Sequence, residues 1–146
     1  KLVKHPDTFL RGSMEKIEFP LSEENKIIIK NMINLMYQEN GIGLAANQAG
    51  YNRQMFVMDV SNEKNNPQVF INPVITTKNN IKMGDIEGCL SCPGVQVKVS
   101  RSVSVNLEWQ CEHGKDQHKT FYHLPSRVVQ HEMDHLNGKL IIDDKK

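Results

Sequence analysis

Apolar residues recur along the chain with two different periods. Ile28, Met32, Leu35 and Met36 are spaced by three or four residues, which predicts a helix with one apolar face. Ser22 is a suitable N-cap, Glu23 and Glu24 sit in the first turn where negative charge is favoured, and Gly41 supplies the stop. The segments that follow are shorter and have strand character: QMFVMDV (54–60), QVFINPVI (68–75), VQVKV (95–99) and SVSVNLEWQ (102–110). In the last of these Val103, Val105, Leu107 and Trp109 alternate with polar residues, so one face is expected to be buried. CEHGKDQHK (111–119) reads as a hairpin turn, and Pro125 fits the first turn of a second helix that stops at Gly138. Helix, strands, then helix is the order of an α+β domain, not of repeating βαβ units.

Length and composition narrow this further. A chain of 146 residues is expected to form a single domain, 1–146, large enough to bury a core. Eighteen basic and 17 acidic residues leave a net charge near +1, with no electrostatic signature of a nucleic-acid partner. IIIKNMINLMY is too short and too polar to span a bilayer, and KLVKHPDTFLRG lacks the apolar centre of a secretory signal. Three cysteines do not complete a disulfide framework, which favours a reducing, cytoplasmic setting.

In that setting the second helix carries the strongest chemical signal, His131-Glu132-Met133-Asp134-His135. Histidines four residues apart share a helix face and can hold one metal ion, with the intervening glutamate as general base. A catalytic site of this kind needs a third protein ligand and an open position. A histidine six residues after the second would serve in one metallopeptidase pattern, but Ile141 stands there. The upstream candidates are Cys89, Cys92, Cys111, His113, His118 and His123. His113 and His118 belong to a polar turn, and Cys111 ends an amphipathic strand as a small packing residue. Cys89 and Cys92 lie in GDIEGCLSCPG, between glycines. Two readings stay open: a catalytic site with one cysteine, or a closed structural zinc site of Cys89, Cys92, His131 and His135. Glu132 beside a ligand favours the first, since a structural site has no use for it. The stretch NGIGLAANQAG is either a flexible helix terminus or a loop whose small residues admit a peptide backbone, with Gln48 as donor to an oxyanion.

The stretches GIGLAANQ, EGCLS and QHEMDH, in that order, resemble the three signature motifs of peptide deformylase, and HPDTFLR is similar to that family's usual start. The resemblance implies antiparallel or mixed sheets around a central helix carrying the His-Glu-x-x-His motif. It also implies removal of the N-formyl group from N-terminal formylmethionine of new proteins, with release of formate. Carried over, Cys89, His131 and His135 bind the metal, ferrous iron natively, with zinc, nickel or cobalt able to take its place. Glu132 moves the proton, while Gln48 and the backbone N–H of Leu90 hold the oxyanion. Gly43, Leu44 and Gly88 would line the substrate, and Glu87, with Arg101 as partner, would brace the site. Leu124, Arg127 and Val128 align with the methionine side-chain pocket, although an aliphatic residue is common where Arg127 stands. Cys92 replaces a usual aliphatic residue, and Gln96 aligns near a basic residue that often helps hold the peptide. Such forms occur in bacteria, their phages and organelles; some members dock on the ribosome through a long carboxy-terminal helix, which is not expected here.

Overall fold

The computed structural model describes residues 1–144. Ser22 accepts a hydrogen bond from the Asn25 N–H at 3.0 Å and opens α1, Glu23–Gln38. Ile28, Met32 and Met36 are buried as the periodicity predicts, together with Ile29. The helix ends at Gln38; Asn40 takes the left-handed conformation (φ 56°) that turns the chain, and the Gly41 N–H caps Met36 O at 2.9 Å. Gly41 also keeps space open: a Cβ there would sit 2.8 Å from Leu90 Cδ1.

Seven strands follow: β1 Gly43–Ala45, β2 Met55–Met58, β3 Gln68–Lys78, β4 Lys82–Cys89, β5 Cys92–Ser102, β6 Ser104–Gln110 and β7 Asp116–Tyr122. They form a five-stranded sheet in the order β1-β2-β3-β6-β7 and a separate β4–β5 hairpin. Every ladder is antiparallel, so no mixed sheet occurs among the described strands. The second long helix, α2, spans His123–Leu136 and stops at Gly138 (φ 78°) as predicted.

The five-stranded sheet has apolar cover on both faces. Leu44, Val57 and Ile71 join Met32 and Met36 of α1 on one side; Phe56, Phe70 and Leu107 join Val128 and Val129 of α2 on the other. This explains why MFVM of β2 is apolar without alternation: the strand is buried on both faces. α2 contacts the sheet on one side and β5 on the other, which makes it the central helix of an α+β fold.

Three elements differ from the sequence expectation, the first being β1, which lies in the NGIGLAANQAG stretch read as a helix terminus or a loop. The segment before Cys89, to which the sequence pattern assigns no element, is strand β4, and the CEHGKDQHK turn is confined to its first half, because β7 begins at Asp116. Both strands lie mostly in solvent, with Glu87 the sole buried residue of β4 and Phe121 that of β7. A strand with little buried surface carries little alternation.

Candidate active site

The β4–β5 hairpin turns through Leu90 and Ser91, with Cys89 and Cys92 directly opposed at its tip. Docking of this hairpin on α2 brings Cys89 to the two histidines of the helix. The ligand atoms of Cys89, His131 and His135 lie within 4.8 Å of one another. His135 Nε2 is 3.2 Å from Cys89 Sγ and 3.1 Å from His131 Nε2. Metal–sulfur and metal–nitrogen bonds of about 2.0–2.3 Å imply tetrahedral donor separations of roughly 3.3–3.6 Å, so the donor set fits a single divalent ion. Cys92 takes no part. It is buried with Leu10 and Leu140, and burial together with the neighbouring Cys89 pushes its thiol up to about 11. The four-ligand structural zinc reading therefore has no fourth ligand.

The surroundings of His131 favour positive charge, whereas burial and the neighbouring His131 and Arg101 hold the His135 pKa well below its ordinary value. Burial alone would lower the His131 pKa, but hydrogen bonds to Cys89 and Glu87 raise it to about 10. Glu87 Oε1 accepts from His131 Nδ1 at 2.9 Å and from Arg101 Nη2 at 3.0 Å. Burial opposes ionisation of Glu87, yet the His131 and Arg101 hydrogen bonds outweigh it and hold the carboxyl well below the usual range. Arg101 also donates to Asp134 at 2.6 Å, tying β5 to α2 one residue before His135 of the donor cluster.

Glu132 is 3% exposed, its Oε1 has no hydrogen-bond partner, and burial pushes its pKa up to about 7. Gly43 makes room for it: a Cβ on Gly43 would lie 2.6 Å from Glu132 Oε2 and 2.8 Å from Val128 Cγ1. The glycine expected to admit a substrate backbone thus admits the carboxylate first. Gly88 is different, because the nearest atom to its Cβ position is 3.9 Å away. Gln48 accepts from the Ala45 N–H at 2.9 Å, donates to Ser91 Oγ at 3.1 Å, and its Nε2 lies 3.7 Å from Cys89 Sγ. Its amide is thereby fixed beside the thiol.

A cavity of about 460 Å³ opens over this constellation. All the site residues singled out in the sequence line it except His135, which lies beneath in the donor cluster, Leu44, Arg101 and Gln96. Leu44 is fully buried in the core beneath α1, because β1 turns successive side chains to opposite faces of the sheet. Gln96 is exposed on β5 opposite Gly88 and does not itself line the cavity. The charge of Arg127 does not float at the rim: it is paired with Glu87 and donates to Val99 O at 3.0 Å and Met83 O at 2.7 Å.

Sequence reasoning missed three supporting residues. Asn47 donates to His135 O at 2.7 Å, Ser91 positions Gln48, and Asp134 pairs with Arg101. All three stand inside or beside the quoted motifs, which was the available signal.

Comparison with known proteins places this geometry. The Polypeptide deformylase family pattern matches residues 1–146. A peptide deformylase of Xylella fastidiosa (strain M12) is 40% identical over 144 residues, 97% of this chain and 84% of that one. The crystal structure of a peptide deformylase from Synechococcus elongatus in complex with actinonin superposes with a TM-score of 0.93 at 38% identity, covering 98% of this chain and 78% of that one. That of the Plasmodium falciparum peptide deformylase gives 0.92 at 37% identity, covering 98% and 84%. With motifs, donor cluster, fold and similarity along nearly all of this chain in agreement, the chain belongs to the polypeptide deformylase family.

Proposed function

We propose that residues 1–146 form one catalytic domain in which Cys89, His131 and His135 hold a divalent ion while Glu132 performs the proton transfers of deformylation. The protein is a hydrolase that removes the N-formyl group from nascent peptides. The observation that carries the residue assignment is the convergence of the three donors beside a buried, partnerless carboxylate. The ion, when bound, supplies Lewis acidity that makes water a nucleophile near neutral pH. Glu132 accepts the proton of the attacking water and delivers it to the leaving amine; a pKa near 7 suits a group that must do both. The Gln48 amide and the Leu90 backbone N–H face the oxygen on which charge develops. Ferrous iron is the native ion proposed by family resemblance, and zinc, nickel and cobalt suit the same sulfur and nitrogen donors.

The substrate enters as an extended strand. Among the described residues β1 pairs only with β2 and β4 only with β5, so each keeps an open edge, and residues of both strands line the cavity. The formylmethionine side chain lies against Leu124, Val128 and the stem of Arg127. The setting is the cytoplasm of a bacterium or phage-infected host, or an organelle, with transient approach to the ribosome to meet nascent chains. No helix is long and apolar enough to cross a membrane among the described residues.

Formyl-Met, acetyl-Met and formyl-Ala tripeptides, compared at matched concentrations, test this reading. Acetyl-Met is expected to be refused, because a methyl on the attacked carbon competes for space with Glu132, Gln48 and the ion; overpacking by one methyl typically costs about 1–3 kcal/mol. Hydrolysis of acetyl-Met at a rate close to that of formyl-Met would overturn it.

A further inference from the structure

Arg127 stands between two cavities. Beyond the one over the donor cluster lies a second, of about 220 Å³, against Met83, Val103 and His123. Asp85, Leu124 and Arg127 line both. Of these three, Leu124 is 50% exposed and Asp85 lies in solvent, so neither makes a fixed wall. Arg127 is held at three points. Its Nη1 pairs with Glu87 and donates to Val99 O on β5, and its Nη2 donates to Met83 O on β4. Moving this guanidinium aside means giving up two backbone acceptors and one of the charge partners of the buried Glu87 carboxylate at once.

We propose that Arg127 is a specificity-determining residue: its anchored guanidinium is the partition between the two cavities and limits the first residue of the substrate to a side chain of about methionine length. This rests on the deformylase reading of the first cavity. It adds that the second cavity is unused space from which the substrate is excluded by one side chain. Loss of that side chain would join the cavities and extend the apolar path along Leu124.

The test uses the metal-loaded enzyme and formylated tripeptides whose first residue is norleucine, or its analogues with two and four further methylenes. For the wild type, kcat/KM should fall beyond norleucine. For Arg127→Ala, the first longer analogue should gain at least about tenfold relative to norleucine, since each buried methylene contributes roughly fourfold. The gain should appear mainly in KM, whereas general damage to the site would lower kcat for every substrate alike. Arg127→Lys, which keeps the stem and an anchor on Glu87, should restore the cut-off. An unchanged ratio in an active Arg127→Ala enzyme overturns the proposal. Should that variant fail to fold, the wild-type series decides: efficiency that keeps rising past norleucine overturns it equally, and a sharp fall supports it. A wild-type enzyme that hydrolyses none of the formylated peptides would instead refute the deformylase reading beneath.

Discussion

Glu132 combines near-complete burial with a carboxylate oxygen that no donor satisfies. An unpaired group of this kind is costly to keep in a folded interior, and such positions concentrate where chemistry is done. Glu132→Gln is expected to keep the fold and the metal while lowering turnover about 10²–10⁴-fold, the usual contribution of general acid–base catalysis. Metal content and turnover measured on the same sample check this, and a variant that is fully loaded and still active would remove Glu132 from its role. The two cysteines provide a second contrast at this scale. Cys89→Ala should lose the metal, because it removes one of three converging donors. Cys92→Ala should bind metal normally and lose about 1 kcal/mol of stability by thinning the cluster with Leu10 and Leu140. Elemental analysis and thermal melts of the pair distinguish these outcomes; equal metal loss from both would restore the four-ligand reading.

The β4–β5 hairpin is the element on which the site depends, since it belongs to neither face of the main sheet and is held to α2 by side chains. Arg101, whose side chain is 7% exposed, bridges Glu87 at 2.9 and 3.0 Å and Asp134 at 2.6 Å. Removing one partner from a buried ion pair typically costs about 3–5 kcal/mol, because the other charge is left desolvated. Arg101→Met should therefore lower the denaturation midpoint by that equivalent and weaken metal binding through Glu87 and His131; a stability change under 1 kcal/mol would exclude the bridge as the hairpin's tether. The approach of β1 to α2 makes the complementary case. Gly43→Ala would drive a methyl into Glu132 and Val128 and should cost about 1–3 kcal/mol along with most of the activity. Gly88→Ala, with nothing within 3.9 Å, should leave stability within about 0.5 kcal/mol and raise KM alone. Similar melts for both alanine variants would contradict the difference in their surroundings.

Across the whole molecule, two acidic side chains tie distant segments and make stability depend on pH. Asp143 accepts from Arg11 at 2.7 and 3.0 Å, joining the first turns of the chain to the last, and these hydrogen bonds lower its pKa to about 2. Burial would raise the Asp59 pKa, but hydrogen bonds from Ser61 and Tyr37 outweigh it and bring it to about 2 as well. Both values lie below the ordinary 3.8, so folding favours the ionised forms. The stability they add is present above 3.8 and is lost as pH falls through that value towards 2. Wild type should be more stable than Asp59→Asn near neutral pH, with the gap closing in acid. Melts across the range test this, and a gap that stays constant would show that Asp59 does not titrate as its surroundings require.

What could be read from the chain alone was whatever depends on neighbours in sequence. Ser22 and the two glutamates after it define a helix start by local hydrogen bonding and charge. The alternation from Val103 to Trp109 reports one buried face, and the i, i+4 histidines share a side of α2 whatever surrounds them. The α+β order and the chemistry of the donors follow from these signals. Tertiary structure decided what depends on residues far apart. β4 and β7 have little buried surface and so little pattern, yet β4 carries Cys89 across forty-two residues to His131. Cys89 and Cys92 are equivalent by sequence spacing, and only packing puts one beside His131 and His135 and the other against Leu10 and Leu140. Gly43 yields its space to Glu132, Leu44 turns into the core beneath α1, and Arg127 spends its charge on Glu87 and two backbone carbonyls. Each of these is a contact between elements, and no local periodicity encodes which element will arrive on the other side.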